Sequence, residues 1–124
     1  MVVGVGTDIV LVEDLRKRME RTPGLEARIF DPAESAFCRA MADPWQHFAA
    51  RFAAKEALMK ALGTGWTQGV DFRDIVVVRG IEGPPRLDLR GGAAEAAGAQ
   101  GTRASLSLSH AGGLAIAFVV LDRE

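Results

Sequence analysis

The chain has 124 residues, of which 48% are apolar and 25% are charged, so its composition is that of one ordinary globular domain spanning residues 1–124. Its net charge of -1 at pH 7 provides no overall attraction to nucleic acid or to an anionic membrane surface, and its longest apolar run, residues 114–121, is far shorter than a membrane-spanning helix. The lone cysteine, Cys38, excludes an intramolecular disulfide and fits a reducing compartment, so we expect a cytoplasmic protein without nucleic-acid or membrane partners.

The first predicted element is a strand at Val2–Ile9, in which valines alternate with Gly4 and Gly6. Glycine within a strand indicates that another segment approaches the backbone closely, so we expect this strand to be buried. Asp8, near the end of the strand, has two interpretations that its position alone does not separate. It is either the N-cap of the following helix or a carboxylate that binds a metal or a phosphate-linked group.

A short charged helix is predicted next, at Val12–Arg21, and it ends at the break formed by residues 22–24. Its cationic residues form the densest basic cluster of the sequence: Arg16, Lys17, Arg18 and Arg21. Most such clusters are simply solvated, but this one is also suited to receive an acidic protein surface. Asp31 and Pro32 then predict the start of a further helix that extends to Met41.

The longest predicted helix begins at Asp43 and Pro44 and ends at Gly63 or Gly65, which provide an N-cap, a first helical residue and a left-handed C-cap. Large apolar side chains occupy one broad side and alanines the other, so both sides are predicted to pack. Several charged residues therefore point into apolar surroundings: Arg51, Lys55, Glu56 and Lys60. Buried charges are costly unless something pairs with them, so we expect function on this helix, and we rank a simple Glu56–Lys60 ion pair second.

After Gly65 the pattern changes to that of strands, because β-branched residues and tight turns replace the helical spacing. The predicted elements are, in order, a strand at Asp74–Arg79, a turn at 83–85, a returning strand at 86–90, a short helix at Ala93–Gln100, and strands at 103–110 and Leu114–Leu121. This half of the chain is therefore predicted to contain two hairpins separated by a short helix.

His110 lies at the end of a predicted strand in which serines alternate with leucines. A histidine in this position is usually a hydrogen-bonded structural residue, and serines on one face of a strand are usually solvated. Ser109 and His110 do not predict a hydrolase, because no third catalytic residue or oxyanion-hole signal accompanies them.

The sequence resembles the holo-acyl-carrier-protein synthase family, the small bacterial 4'-phosphopantetheinyl transferases. Three stretches carry the resemblance and occur in the family's order: GVGTDIV at 4–10, RFAAKEALMKALGTG at 51–65, and SLSH followed by AIA within 107–117. A weaker fourth match is GPPRL at 83–87. The most specific part is Lys-Glu-Ala-x-x-Lys-Ala-x-Gly at 55–63, and the matches together extend along the whole chain.

The resemblance implies the α+β fold of 4'-phosphopantetheinyl transferases, with a small antiparallel sheet and a long central helix, assembled as a homotrimer with active sites between subunits. It implies transfer of 4'-phosphopantetheine from coenzyme A to a serine hydroxyl of an apo acyl carrier protein, with Mg²⁺ as cofactor and release of adenosine 3',5'-bisphosphate. One alternative, from a different functional class, is a non-catalytic trimer that binds coenzyme A or nucleotides. A second alternative is a Mg²⁺-dependent hydrolase of coenzyme A.

The resemblance also implies which residues carry the reaction. Asp8 and Glu56 match the family's magnesium ligands, and Mg²⁺ prefers carboxylate, phosphate and water oxygens. Lys60 matches the lysine placed on the phosphates, where its charge offsets that of the transferred group. The base that takes the serine proton is either Glu56 or a metal-bound water, and we favour the water because a carboxylate bound to a metal is a poor base.

Contacts with coenzyme A and with the carrier protein are implied for a wider set of residues. The positions that match coenzyme contacts are Arg51, Lys60, Gly63, Thr64, Gly65, Pro85, Ser109 and His110. Arg18 and Arg21 are expected to bind the carrier, because Asp14 stands where several relatives have a basic residue on the docking face. Ala111 stands where many relatives have an acidic residue, which argues against a carboxylate base beside the histidine.

Overall fold

A long central helix, α4 at Pro44–Leu62, contacts most other elements of this computed structural model, which describes residues 1–63, 69–79 and 83–124. Its ends are as predicted. The Asp43 carboxylate accepts a hydrogen bond from the Trp45 amide at 3.2 Å, and Gly63 adopts a left-handed conformation with φ of 73°. Both sides of the helix are packed, because alanines on one side allow other backbones to approach closely.

The other described elements follow the predicted order. The helices are α1 at Val12–Arg21, α2 at Leu25–Ile29, α3 at Pro32–Arg39, a 3₁₀ helix at Phe72–Asp74 and α5 at Gly91–Ala99. The strands are β1 at Val2–Leu11, β2 at Ile75–Arg79, β3 at Pro85–Leu89, β4 at Arg103–Ala111 and β5 at Leu114–Asp122. The sequence did not predict α2, because its five residues are too few to show a helical period. Within the described ranges, no helix combines the length and the apolar content that crossing a membrane requires.

Two antiparallel sheets confirm the α+β architecture that the resemblance implied. One sheet has the strand order β1-β5-β4, and the other consists of β2 and β3. The hairpins β2-β3 and β4-β5 are local and were predicted, whereas β1 pairs with β5 from the far end of the chain and places Asp8 opposite Ala117.

Gly4 and Gly6 allow β1 to lie directly against α4, as predicted. A Cβ atom at Gly6 would lie 1.9 Å from the carbonyl oxygen of Ala57, and one at Gly4 would lie 2.4 Å from the carbonyl oxygen of Ala61. Any side chain at these positions would force the strand away from the helix. The close approach brings the end of β1, including Asp8, beside the second half of α4.

The expectation that β1 is buried is wrong for its outer face. Val5, Ile9 and Leu11 are 56%, 61% and 54% exposed, and neighbouring Ile116 and Phe118 of β5 are 38% and 44% exposed. Successive side chains of a strand point to opposite faces, and α4 covers only one face of this sheet. An apolar surface therefore remains open on the other face.

Candidate active site

Asp8, Glu56 and Lys60 line the same cavity, which has a volume of about 1300 Å³. Asp8 comes from β1, and Glu56 and Lys60 lie one turn apart on α4. The contact of the two β1 glycines with α4 is what brings these residues together. The cavity is closed on its other sides by residues of α1, α2 and the 3₁₀ helix.

Lys60 pairs with Asp8. Its ammonium lies 3.0 Å from Oδ1 of Asp8 and also donates to the carbonyl oxygen of Thr7 at 3.0 Å. A Glu56–Lys60 ion pair does not form within 4.0 Å in the described part of the chain, so that alternative is wrong. Asp8 is not the cap of α1 either, since the N-cap of α1 is Leu11 and no side chain caps it.

Glu56 lies close enough to Asp8 for the two carboxylates to interact electrostatically. Burial raises the pKa of Glu56 above the usual glutamate value, and the negative charge of Asp8 raises it further, whereas Lys60 and Arg18 oppose this effect. Two carboxylates that repel each other in a half-buried site favour the binding of a cation between them.

The residues present fit a Mg²⁺ ion. Among the described residues, no group of three His, Cys, Asp or Glu side chains is placed to bind a metal, so Asp8 and Glu56 would supply only part of a coordination sphere. Mg²⁺ commonly binds through one or two carboxylates and takes its remaining ligands from substrate phosphates and water. The donor set therefore favours an ion that is completed by an anionic substrate.

Cationic side chains line the same cavity as the carboxylates. Arg18 of α1, for which we expect a contact with the carrier, is there together with Arg28 of α2 and Arg73 of the 3₁₀ helix. Neither Arg28 nor Arg73 was singled out from the sequence, because neither belongs to a motif and both lie in very short helices. Arg21 is exposed in the last turn of α1 but does not line the cavity, and Arg16 pairs with Glu13 and Glu20 of its own helix.

Arg51 and His110 belong to a second cationic group, which also includes His47 and Arg79. Burial lowers the pKa of His47, and the positive charges of Arg51, His110 and Arg79 lower it further, so each of these three side chains lies close enough to affect His47. Arg51 is only 3% exposed, its guanidinium lies 4.3 Å from the ring centre of Phe37, and its Nε lacks a hydrogen-bond partner among the described residues. His47 and Arg79 were missed because the sequence does not show their proximity.

The remaining predicted coenzyme contacts are not brought into the first cavity. Pro85 begins β3 and pairs with Arg79, a member of the second cationic group. Ser109 is exposed on β4, and Gly63 is exposed at the end of α4. Thr64 and Gly65 lie outside the described residues.

Lys55 does not line the cavity, although it immediately precedes Glu56. Its ammonium pairs with the Glu34 carboxylate at 2.7 Å, and both side chains are 0% exposed. The charge of Lys55 is therefore matched within the protein, so its burial alone does not indicate a site, and the role of half-buried Glu56 stays a prediction.

Comparisons with known proteins show the family to which the chain belongs. The family model described as the 4'-phosphopantetheinyl transferase superfamily matches residues 4–119. The holo-[acyl-carrier-protein] synthase of Clavibacter sepedonicus is 46% identical over 125 residues, which cover 100% of this chain and 98% of that protein.

Solved structures share the whole fold. The crystal structure of the Neisseria meningitidis holo-[acyl-carrier-protein] synthase matches with a TM-score of 0.88 at 34% identity, over 99% of this chain and 100% of that one. The Helicobacter pylori enzyme of the same name, solved in complex with coenzyme A, matches with a TM-score of 0.82 at 30% identity, over 95% and 99% of the two chains. The chain therefore belongs to the holo-[acyl-carrier-protein] synthase family of the 4'-phosphopantetheinyl transferase superfamily.

Proposed function

We propose that the chain is an enzyme that transfers the 4'-phosphopantetheine group of coenzyme A to a serine hydroxyl of an apo acyl carrier protein and releases adenosine 3',5'-bisphosphate. The observation that carries this proposal is the convergence of Asp8, Glu56 and Lys60 in one cavity of a chain that belongs to this family. A binding-only descendant would have no need to keep these three residues together.

Asp8 and Glu56 would hold Mg²⁺ as two of its oxygen ligands. When bound, the ion neutralises charge on the pyrophosphate of coenzyme A. The side chain of Lys60 is flexible and 54% exposed, so its ammonium can turn from Asp8 to a phosphate oxygen once a substrate enters. Its ammonium would then stabilise the charge that develops on the transferred group.

The serine hydroxyl of the carrier must lose a proton as it attacks the phosphorus atom. Glu56 would support this step through a water and not directly, because a carboxylate that binds a metal is a poor base even though burial raises its pKa. The proton passes to that acceptor, and the bond between phosphorus and the leaving bisphosphate breaks.

The second cationic group supports a place for the nucleotide end of coenzyme A. Arg51 and His110 would attract its phosphate, with Pro85 and Ser109 nearby in the pairings of β3 and β4. Because Arg51 is almost wholly buried, its main contribution would be positive charge close to His47. Gly63, at the exposed end of α4, is the remaining described residue that we assign to coenzyme binding.

The open apolar face of the β1-β5-β4 sheet supports assembly as a homotrimer. This face consists of Val5, Ile9, Leu11, Ile116 and Phe118, each more than a third exposed. Contiguous apolar patches of this kind are typical of subunit interfaces. Ile9 and Leu11 also line the cavity, so an interface on this face would border the active site.

Docking of the carrier is assigned to α1. Arg18 lines the cavity and Arg21 is exposed in the last turn of the same helix, so both could contact an acidic partner whose serine enters the cavity. A cytoplasmic location stays a prediction from the composition.

Mass measurement of the carrier tests the proposed function. Incubating the protein with coenzyme A, Mg²⁺ and an apo acyl carrier protein should add one phosphopantetheine to the carrier, and Asp8→Ala should abolish the addition while the fold is retained. Release of bisphosphate without a change in the carrier would instead indicate a hydrolase. Binding of coenzyme A with neither product would indicate the non-catalytic alternative.

A further inference from the structure

Glu34 and Lys55 form an ion pair in the core that the proposed reaction does not use. Lys55 Nζ lies 2.7 Å from Oε1 of Glu34, and neither side chain is exposed to solvent. Apolar residues of similar volume often pack in such a place as stably as an ion pair does. Stability alone therefore does not explain why the core contains this ion pair.

The two side chains bind backbone groups of the segment that follows residue 71. Lys55 Nζ donates to the carbonyl oxygen of Phe72 at 3.0 Å and also to that of Ile75. Glu34 Oε2 accepts the backbone N–H of Val77 at 2.9 Å. The pair thus ties α3 and α4 to the 3₁₀ helix and to β2, and each of these hydrogen bonds has a fixed direction.

This segment forms a wall of the catalytic cavity. Phe72 and Arg73 line the cavity together with Glu56, and the ring centre of Phe72 lies 5.4 Å from that of Phe52 on α4. Lys55 lies between Phe52 and Glu56 in the sequence of α4 and anchors the backbone of Phe72. The distance between the two walls therefore depends on the hydrogen bonds of the buried pair.

We propose that Glu34 and Lys55 are positioning residues of the transferase: they hold Phe72 and Arg73 at a set distance and orientation from Glu56, although neither touches the cavity. An apolar pair would fill the same volume but would leave the 3₁₀ helix without directional bonds to α4. This role rests on the proposed function, because Arg73 matters only if the cavity binds an anionic substrate.

The test compares two variants that each alter the core at a different place. In Glu34→Gln/Lys55→Met, both charges are removed together, so no unpaired charge remains in the core. The matched control is Leu121→Ala, which makes a cavity between β5 and α4 but leaves the 3₁₀ helix untouched. Both are assayed well below their melting temperatures, so the folded population is the same. If the double variant does not fold, Glu34→Met/Lys55→Met, which also leaves no unpaired charge in the core, takes its place.

We expect kcat/KM for coenzyme A to fall at least about tenfold in the double variant, because small displacements of positioning groups have effects of this size or larger. The control should keep kcat/KM within about twofold. In an Arg73→Gln background, the effect of the double substitution should shrink to less than about threefold, because both changes act on the same wall.

Equal losses of kcat/KM in the double variant and in the Leu121→Ala control would overturn the proposal, as would a full effect in the Arg73→Gln background. If the wild-type protein transfers nothing, the proposed function fails, and amide hydrogen exchange still tests the role of the pair. Exchange of the Phe72–Val77 amides should then be at least about tenfold faster in the double variant than in the control. Equal exchange rates would show that the pair does not hold this segment.

Discussion

The Lys60 ammonium and the Asp8 carboxylate, which lie 52 positions apart in the chain, form an ion pair of 3.0 Å in the cavity that both residues line. In this arrangement Lys60 shares the carboxylate that we assign to Mg²⁺. A metal bound there would therefore compete with Lys60 for Asp8, and a substrate phosphate would offer Lys60 another partner. Mutation of such a pair should have effects that mutation of a purely structural ion pair would not have.

Replacing Lys60 by alanine should lower turnover and strengthen metal binding at the same time. We expect kcat to fall about 100-fold, because a charge that stabilises the transition state is lost. The affinity of the substrate-free protein for Mg²⁺ should rise a few-fold, because a competing cation is removed from Asp8. Calorimetric titration with Mg²⁺ and steady-state kinetics measure the two effects.

Lys17→Ala is the matched control, since it removes an exposed lysine that does not line the cavity. The melting temperature of Lys60→Ala should change by no more than about 2 °C, because a half-exposed ion pair contributes little to stability. A large loss of melting temperature with unaltered metal affinity would identify the pair as structural.

Glu56→Gln should stabilise the metal-free protein at neutral pH. The pKa of Glu56 is raised in the folded state, so folding favours its protonated form, and the stability it contributes is lost as the pH rises from the ordinary glutamate pKa of 4.5 through the raised value. Glutamine does not ionise, so the variant does not lose this stability as the pH rises. Its melting temperature should exceed that of the wild type by a few degrees at pH 7 and match it near pH 4.

Glu13→Gln provides a control of opposite sign. The hydrogen bond from Arg16 lowers the pKa of Glu13, so the variant should lose stability at neutral pH and not at acid pH. Thermal unfolding in a chelating buffer measures both variants. A Glu56→Gln protein that is less stable than the wild type at pH 7 would contradict the repulsion between Glu56 and Asp8.

Arg21→Glu should weaken binding of the carrier protein without affecting coenzyme A. A charge reversal on an exposed docking residue acts on an acidic partner through a field that salt screens. We expect KM for the carrier to rise about tenfold at low ionic strength and the difference to shrink at high ionic strength. Arg103→Glu, the same reversal on an exposed residue of β4, is the control. An unaltered KM for the carrier would place the docking surface elsewhere.

Phe118→Asp should dissociate the proposed trimer. A charge on the open apolar face could not be buried between subunits without a partner, whereas it is solvated in the monomer. Analytical ultracentrifugation should show a monomer for this variant and a trimer for the wild type. Ala40→Asp, on the exposed end of α3, should leave the assembly unchanged. A wild-type monomer would refute the trimer.

Gly6→Ala should destabilise the protein by about 1–3 kcal/mol or more, because the new methyl group would overlap the carbonyl oxygen of Ala57. Activity should fall with it, since the same contact places Asp8 beside α4. Gly98→Ala is the control: its Cβ would meet nothing within 4 Å, and alanine in a helix is more stable than glycine by up to about 1 kcal/mol. Denaturant unfolding measures the stability of both variants. A Gly6→Ala protein as stable as the wild type would mean that β1 can shift away from α4 without cost.

Local structure was predictable from the sequence wherever a short pattern determines it. Capping residues and apolar spacing predicted both ends of α4, and alternation and turn residues predicted the two local hairpins. The glycines of β1 predicted its close contact with another segment. The resemblance pointed to Asp8, Glu56 and Lys60, which the structure brings to one cavity, although their roles stay predictions.

Only the tertiary structure decided how distant residues pair. The sequence could not show that Lys60 would pair with Asp8 instead of Glu56, that Lys55 would pair with Glu34, or that Arg28 and Arg73 would line the same cavity as the carboxylates. Local patterns report hydrogen bonds and side-chain spacing within a few residues. The partner of a charged side chain depends on proximity and burial once all the elements have packed. The electrostatics of this site therefore follow from the fold as a whole.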